Sequence, residues 1–113
     1  MKVAIVGSRD LVLDLASYLP KEATEIISGG AKGIDSCAKR VAEKFCLPFT
    51  EISPDYSRYK RAAPLVRNRL IVDTADLILI FWNGASTGTR FVMEYAKKAN
   101  KPVQIFLFPK TET

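Results

Sequence analysis

Five short apolar runs, each separated from the next by a stretch with helical periodicity, limit what this chain can fold into more than any other feature. They cover residues 2–6, 24–28, 49–52, 76–81 and 102–108. The fourth contains Leu77-Ile78-Leu79-Ile80-Phe81, the most apolar stretch in the sequence, and predicts a central strand. Runs that are almost continuously apolar, instead of alternating with polar residues, belong to strands covered on both faces. Between them the spacing predicts helices over 10–19, 35–45, 64–74 and 89–100. Pro20 ends the first of these, Asp35 is placed to cap the second, and Pro64 fits the first turn of the third better than its interior. Strand and helix alternating along the whole length indicate one α/β domain over residues 1–113. Its expected architecture is a Rossmann-like, doubly wound sheet of about five parallel strands with helices on both faces. The tail from Pro109 reads as loose.

Composition removes several kinds of chemistry. The chain has no histidine, which excludes a Ser-His-Asp triad, a histidine base and an H-E-x-x-H zinc site. Its two cysteines, Cys37 and Cys46, fall nine positions apart on one predicted helix, roughly 13 Å along the axis. A disulfide needs Cα atoms within about 7 Å, so the pair does not bridge, and no metal-ligand set is visible. No apolar run is long enough to cross a bilayer, and the first is too short for a signal peptide, so a cytoplasmic protein without a membrane partner is expected. A net charge of +5 favours an anionic partner. Arg58, Lys60, Arg61, Arg67 and Arg69 crowd into one short segment, whereas Lys97, Lys98 and Lys101 compensate a helix dipole.

The candidate binding residues lie where strands end. After the second strand come Ser28-Gly29-Gly30-Ala31-Lys32-Gly33-Ile34-Asp35, three glycines leading into a helix. Glycine lets main-chain N–H groups approach an anion, and the helix turns its positive end to the same spot. The spacing is neither the dinucleotide fingerprint nor the P-loop. A tight turn needing positive φ is the plain alternative. Gly7-Ser8-Arg9, after the first strand, offers a close backbone approach, a hydroxyl and a guanidinium, or simply a turn. After the fourth strand, Ser86-Thr87-Gly88-Thr89 combines hydroxyls with a helix start, and Thr87 or Thr89 can also cap that helix. Trp82 can stack on a base or fill the edge of the core, packing being the preferred reading. Arg67 and Asn68, in the first turns of a helix behind Pro64, would complete an anion pocket. In a parallel sheet these loops open on one edge, at the carboxyl ends of the strands.

Taken in order and spacing, these segments resemble the SLOG superfamily. The resemblance covers nearly the whole chain and is nearest to the small YspA-like and YpsA-like members, relatives of the Rossmann-like domain of DprA and of the LOG enzymes. It implies a pocket for a nucleotide or nucleotide-derived ligand, and a homodimer. The LOG motif Pro-Gly-Gly-x-Gly-Thr-x-x-Glu has its glutamate three residues after the threonine. Here that position is Val92, and Glu94 lies two residues on, about 200° around the helix.

Three functions follow as expectations. The first is binding or sensing of a nucleotide, with phosphate held by the loops at Gly29 to Gly33 and Ser86 to Thr89. Arg9 and Arg67 would supply charge, and Asn68 or Asp35 would read ribose or base. The second is hydrolysis of a nucleotide N-glycosidic bond, with Asp35 or Glu94 as the candidate catalytic groups. The third is DprA-like binding of single-stranded DNA, by the basic segment with Tyr56 and Tyr59 stacking on bases.

Overall fold

The run at 77–81 becomes β4 (Leu77–Trp82), an interior strand. A computed structural model of the chain describes residues 1–30 and 32–109. Around β4 lie β1 (Lys2–Gly7), β2 (Glu25–Ser28), β3 (Phe49–Glu51) and β5 (Val103–Leu107). They form one sheet in the order β3-β2-β1-β4-β5, with every neighbouring pair parallel. The helices are α1 (Ile34–Lys44), α2 (Tyr56–Tyr59), α3 (Ala63–Thr74) and α4 (Thr87–Lys98). This is a Rossmann-like α/β fold. Among the described residues, no helix is long and apolar enough to cross a membrane.

Successive side chains of a strand point to opposite faces, and the core divides accordingly. Val3, Ile5, Ile26, Leu79 and Phe81 pack on one face against Ile34, Ala38, Val41 and Ala42 of α1. Ala4, Ile27, Ile78 and Ile80 pack on the other against Ile71 and Val72 of α3 and Val92 and Ala96 of α4. Strands apolar at every position are needed because both faces are covered.

Three expectations need correction. Residues 10–15 are not helical, and only a 3₁₀ turn, Ala16–Tyr18, forms in the first predicted helix. Leu11, Leu13 and Leu15 face the core while Val12 and Asp14 are exposed. That alternation has a period of two, and it outweighed the helical spacing of Leu11, Leu15, Tyr18 and Leu19. Asp35 does not cap α1: the capping position is Gly33, and Asp35 lies inside the first turn. Helix α1 stops at Lys44, so Cys46 lies beyond it, exposed, while Cys37 is buried; both are free thiols.

The last strand is an edge strand. Phe106 and Phe108 turn inward to stack against Phe81, whose ring also meets Tyr18 edge-on at 5.0 Å. Ile105 and Leu107 face solvent. Of the expected loose tail, residues 110–113 lie outside the described residues.

Phe81 joins the aromatic cluster to the middle of the sheet and is fully buried. Phe81→Ala is expected to cost about 3–5 kcal/mol in urea unfolding. Val12→Ala, at a side chain 66% exposed, is expected to change stability by less than about 0.5 kcal/mol.

Candidate functional site

A sheet in the order β3-β2-β1-β4-β5 reverses its winding between β1 and β4, and a crevice opens there beyond the strand ends. The cleft at this point measures about 150 Å³. The end of β1 contributes Val6, Gly7 and Arg9, and the β2–α1 connection contributes Gly29 and Asp35. Helix α3 adds Pro64, Arg67, Asn68 and Ile71, and the start of α4 adds Ser86, Gly88, Thr89 and Val92.

Two glycines make this convergence possible. A Cβ on Gly7 would lie 2.6 Å from both Ile34 Cγ1 and the Phe81 carbonyl oxygen, so β1, β4 and α1 approach this closely only without one. Gly33 has φ +75°, and a Cβ there would collide with the backbone carbonyl of Arg9. The loop after β2 is thereby folded onto the loop after β1.

Arg67 fastens α3 to the strand ends. Its Nη1 donates to the carbonyl of Gly29 at 2.9 Å and to that of Ile52 at 3.5 Å, and its Nε donates to Asn68 Oδ1 at 2.7 Å. A guanidinium has five N–H donors, and Nη2 has no partner among the described residues. The bond from Arg67 also fixes the Asn68 amide, whose nitrogen is left to donate. The point where Gly29 would carry a Cβ lies 2.6 Å from Arg67 Nη1 and 3.2 Å from Asp35 Oδ2. The guanidinium and a buried carboxylate therefore flank the same glycine.

Asn83 organises the loop before α4, and the sequence reading missed it. Its Oδ1 accepts from the amides of Ala85 and Ser86, and its Nδ2 donates to Asp10 Oδ1 at 2.9 Å. Its own N–H donates to Ser8 Oγ at 3.1 Å. One residue thus ties the loop after β1 to the loop after β4. The available signal was an asparagine just past an apolar strand and before Gly84, where an Asx turn is favoured.

The structure separates the sequence candidates into groups. Gly7, Arg9, Gly29, Asp35, Arg67, Asn68, Ser86, Gly88 and Thr89 line the cleft. Ser8 does not: it is 1% exposed and serves as the acceptor for Asn83. Trp82 packs under α4, its Nε1 donating to the Ser86 carbonyl and its ring covered by Arg90. Ser86 is the cap of α4, accepting from the Thr89 amide and hydroxyl, so neither Thr87 nor Thr89 fills that position. Gly30 turns toward Glu51, and Gly33 shapes the loop from beneath. Thr87 lines a neighbouring hollow. Glu94 lies outside the cleft in a separate hollow with Arg69, Phe91, Tyr95 and Lys98, because it is turned around α4 from Val92. Ala31 lies outside the described residues. The apolar floor of Val6, Ile71 and Val92, with Pro64 beside it, was not singled out as ligand-facing, since core and cleft positions share one sequence signal.

The segment leading to Arg67 carries its own cap. Asp55 accepts from the Ser57 hydroxyl and the Arg58 amide, and these bonds, the hydroxyl first, hold its carboxyl below the usual 3.8. A value lowered by folding means the cap is complete above the ordinary carboxylate range and is lost as pH falls through the folded value.

No family model matches the chain, and neither does any curated protein or solved structure.

Two measurements check this geometry. Asn83→Asp keeps the Asx turn but sets a second carboxylate against Asp10, and should cost about 1–2 kcal/mol. Adding Asp10→Asn restores a donor–acceptor pair and should recover most of that loss. No recovery would mean that the two loops are joined by something else. Protection of the Tyr59 amide against hydrogen exchange, taken relative to the intrinsic rate at each pH, should fall on acidification, and Asp55→Asn should remove that change in protection.

Proposed function

We propose that this protein binds a nucleotide or nucleotide-derived ligand at the carboxyl edge of its sheet, as a binding or sensing module. The observation that carries the reading is the cleft between β1 and β4, where four chain segments converge. The exposed Arg9 lines the cleft together with the start of a twelve-residue helix and its first amides, a setting for phosphate. Asp35 of α1, 8% exposed, and Asn68 of α3 also line it, groups that pair with sugar hydroxyls or a base edge. The apolar floor gives such a ligand a surface to cover. In this reading the phosphate sits against α4, whose first turn has no acid, whereas Asp35 occupies the first turn of α1.

Hydrolysis is the less supported use of the same cleft. Among the residues lining it Asp35 is the one acid, and Val92 stands where the LOG-like motif has glutamate. Binding to single-stranded DNA rests on a different surface, with Tyr56 59% exposed beside Lys60 and Arg61. Arg58 already lies over Tyr59, and Arg69 over Phe91 and Tyr95, so two basic side chains there are engaged within the chain.

The test is a thermal-shift screen against nucleoside mono-, di- and triphosphates and their derivatives, repeated with Arg9→Ala. Arg9 is exposed and its side chain has no partner among the described residues. The variant should unfold within about 0.5 kcal/mol of the parent. A charged hydrogen bond contributes about 1.5–3 kcal/mol, so nucleotide affinity should fall at least about tenfold. An undiminished shift with Arg9→Ala would remove the cleft as the binding site. A shift produced by single-stranded DNA alone, weakening with salt, would favour the DNA surface.

A further inference from the structure

The cleft is too small for the ligand class it suits. Its volume of about 150 Å³ is half the lower end of the range of about 300–1,000 Å³ for small-molecule sites. A second hollow of about 480 Å³ adjoins it, bounded by Arg9, Asp10, Asn83, Ser86, Thr87 and Gly88. Arg9, Ser86 and Gly88 belong to both. They form a common wall, with one space leading inward to Asp35 and Asn68 and another leading outward past Thr87.

The wall is the part of the site best suited to an anion. Arg9, which lines both spaces, brings a positive charge to it, and the amides of Thr87 and Gly88 at the start of α4 have no acceptor among the described residues. The adjacent amides of Ala85, Ser86 and Thr89 are all satisfied within the loop. The Asn83–Asp10 bond fixes the far side of the outer hollow, so both spaces keep their position relative to the wall.

We infer that the ligand has two arms: a phosphate or pyrophosphate gripped at the Arg9–Ser86–Gly88 wall, one sugar-bearing arm in the inner cleft, and a second arm in the outer hollow. This rests on the reading of the cleft as a nucleotide site, and it narrows the ligand to nucleotides substituted beyond the phosphate. A plain mononucleotide fills one arm only. Joining two arms through one phosphate makes the second contact intramolecular, so the joined ligand binds more tightly than either part.

The experiment is calorimetric titration of the full chain with matched pairs. The four ribonucleoside monophosphates are compared with ADP-ribose, GDP-mannose, UDP-glucose and CDP-glucose. At least one two-armed compound should bind tenfold or more tightly than its monophosphate. Thr87→Trp, which fills the outer hollow at an exposed position, should bring that ratio close to one. Equal affinities within every pair would overturn the two-armed ligand while leaving a mononucleotide site standing. An advantage that survives Thr87→Trp would also overturn it, by placing the second arm elsewhere. Absence of binding by all eight compounds would overturn both this inference and the nucleotide reading beneath it.

Discussion

The pairing of β1 with β4 is the constraint on which the rest depends. The register runs from Val3 against Leu77 to Gly7 against Phe81, joining the two halves of the winding through strands far apart in sequence. Gly7 makes the junction close, because Ile34 and the Phe81 carbonyl occupy the space of a side chain. Once the strands are paired, their ends stand side by side and their loops leave in different directions. The crevice between those loops is therefore a consequence of the topology.

The fold supplies the crevice, and a few side chains give it a polarity. Arg67 draws α3 against the ends of β2 and β3, bringing Asn68 to the rim. Asn83 fixes the opposite rim by closing its own Asx turn and reaching Asp10. Between them, Asp35 and the Arg67 guanidinium flank Gly29 at the start of α1, and Arg9 shares the cleft with the start of α4. A helix N-terminus favours anions in both places, but Asp35 occupies the first turn of α1, whereas the first turn of α4 contains no acid. Charge placement thus distinguishes two loops that look alike as strand–glycine–helix turns.

Much of this was legible in the sequence, for identifiable reasons. Leu77 to Phe81 could be read as an interior strand because burial on both faces leaves a continuous apolar run. The loops at Gly7, Gly29 and Ser86 could be placed on one edge because parallel strands all end on the same side. The segment 10–15 is ambiguous in the sequence because its leucines fit a helical and a two-residue period at once, and only packing against α1 decides between them. Ser8 and Trp82 have polar groups of the kind a ligand would use, yet the structure uses those groups to join elements. The Asx turn of Asn83 has a local signal, but its contacts with Asp10 and Ser8, residues distant in the chain, do not. Val92 and Ile71 read as core, and they are core; the cleft floor is the outer surface of that core.

The central claim is that ligand recognition takes place at the junction of β1 and β4. The most direct measurement is a nitrogen-15 amide spectrum of the protein titrated with the best nucleotide from the screen. The account predicts that the largest shifts fall on Gly7, Arg9, Gly29, Asn68, Thr87 and Gly88, with Tyr56 to Ala62 unmoved. Shifts concentrated at Tyr56 to Ala62, with the amides around the cleft unchanged, would contradict it.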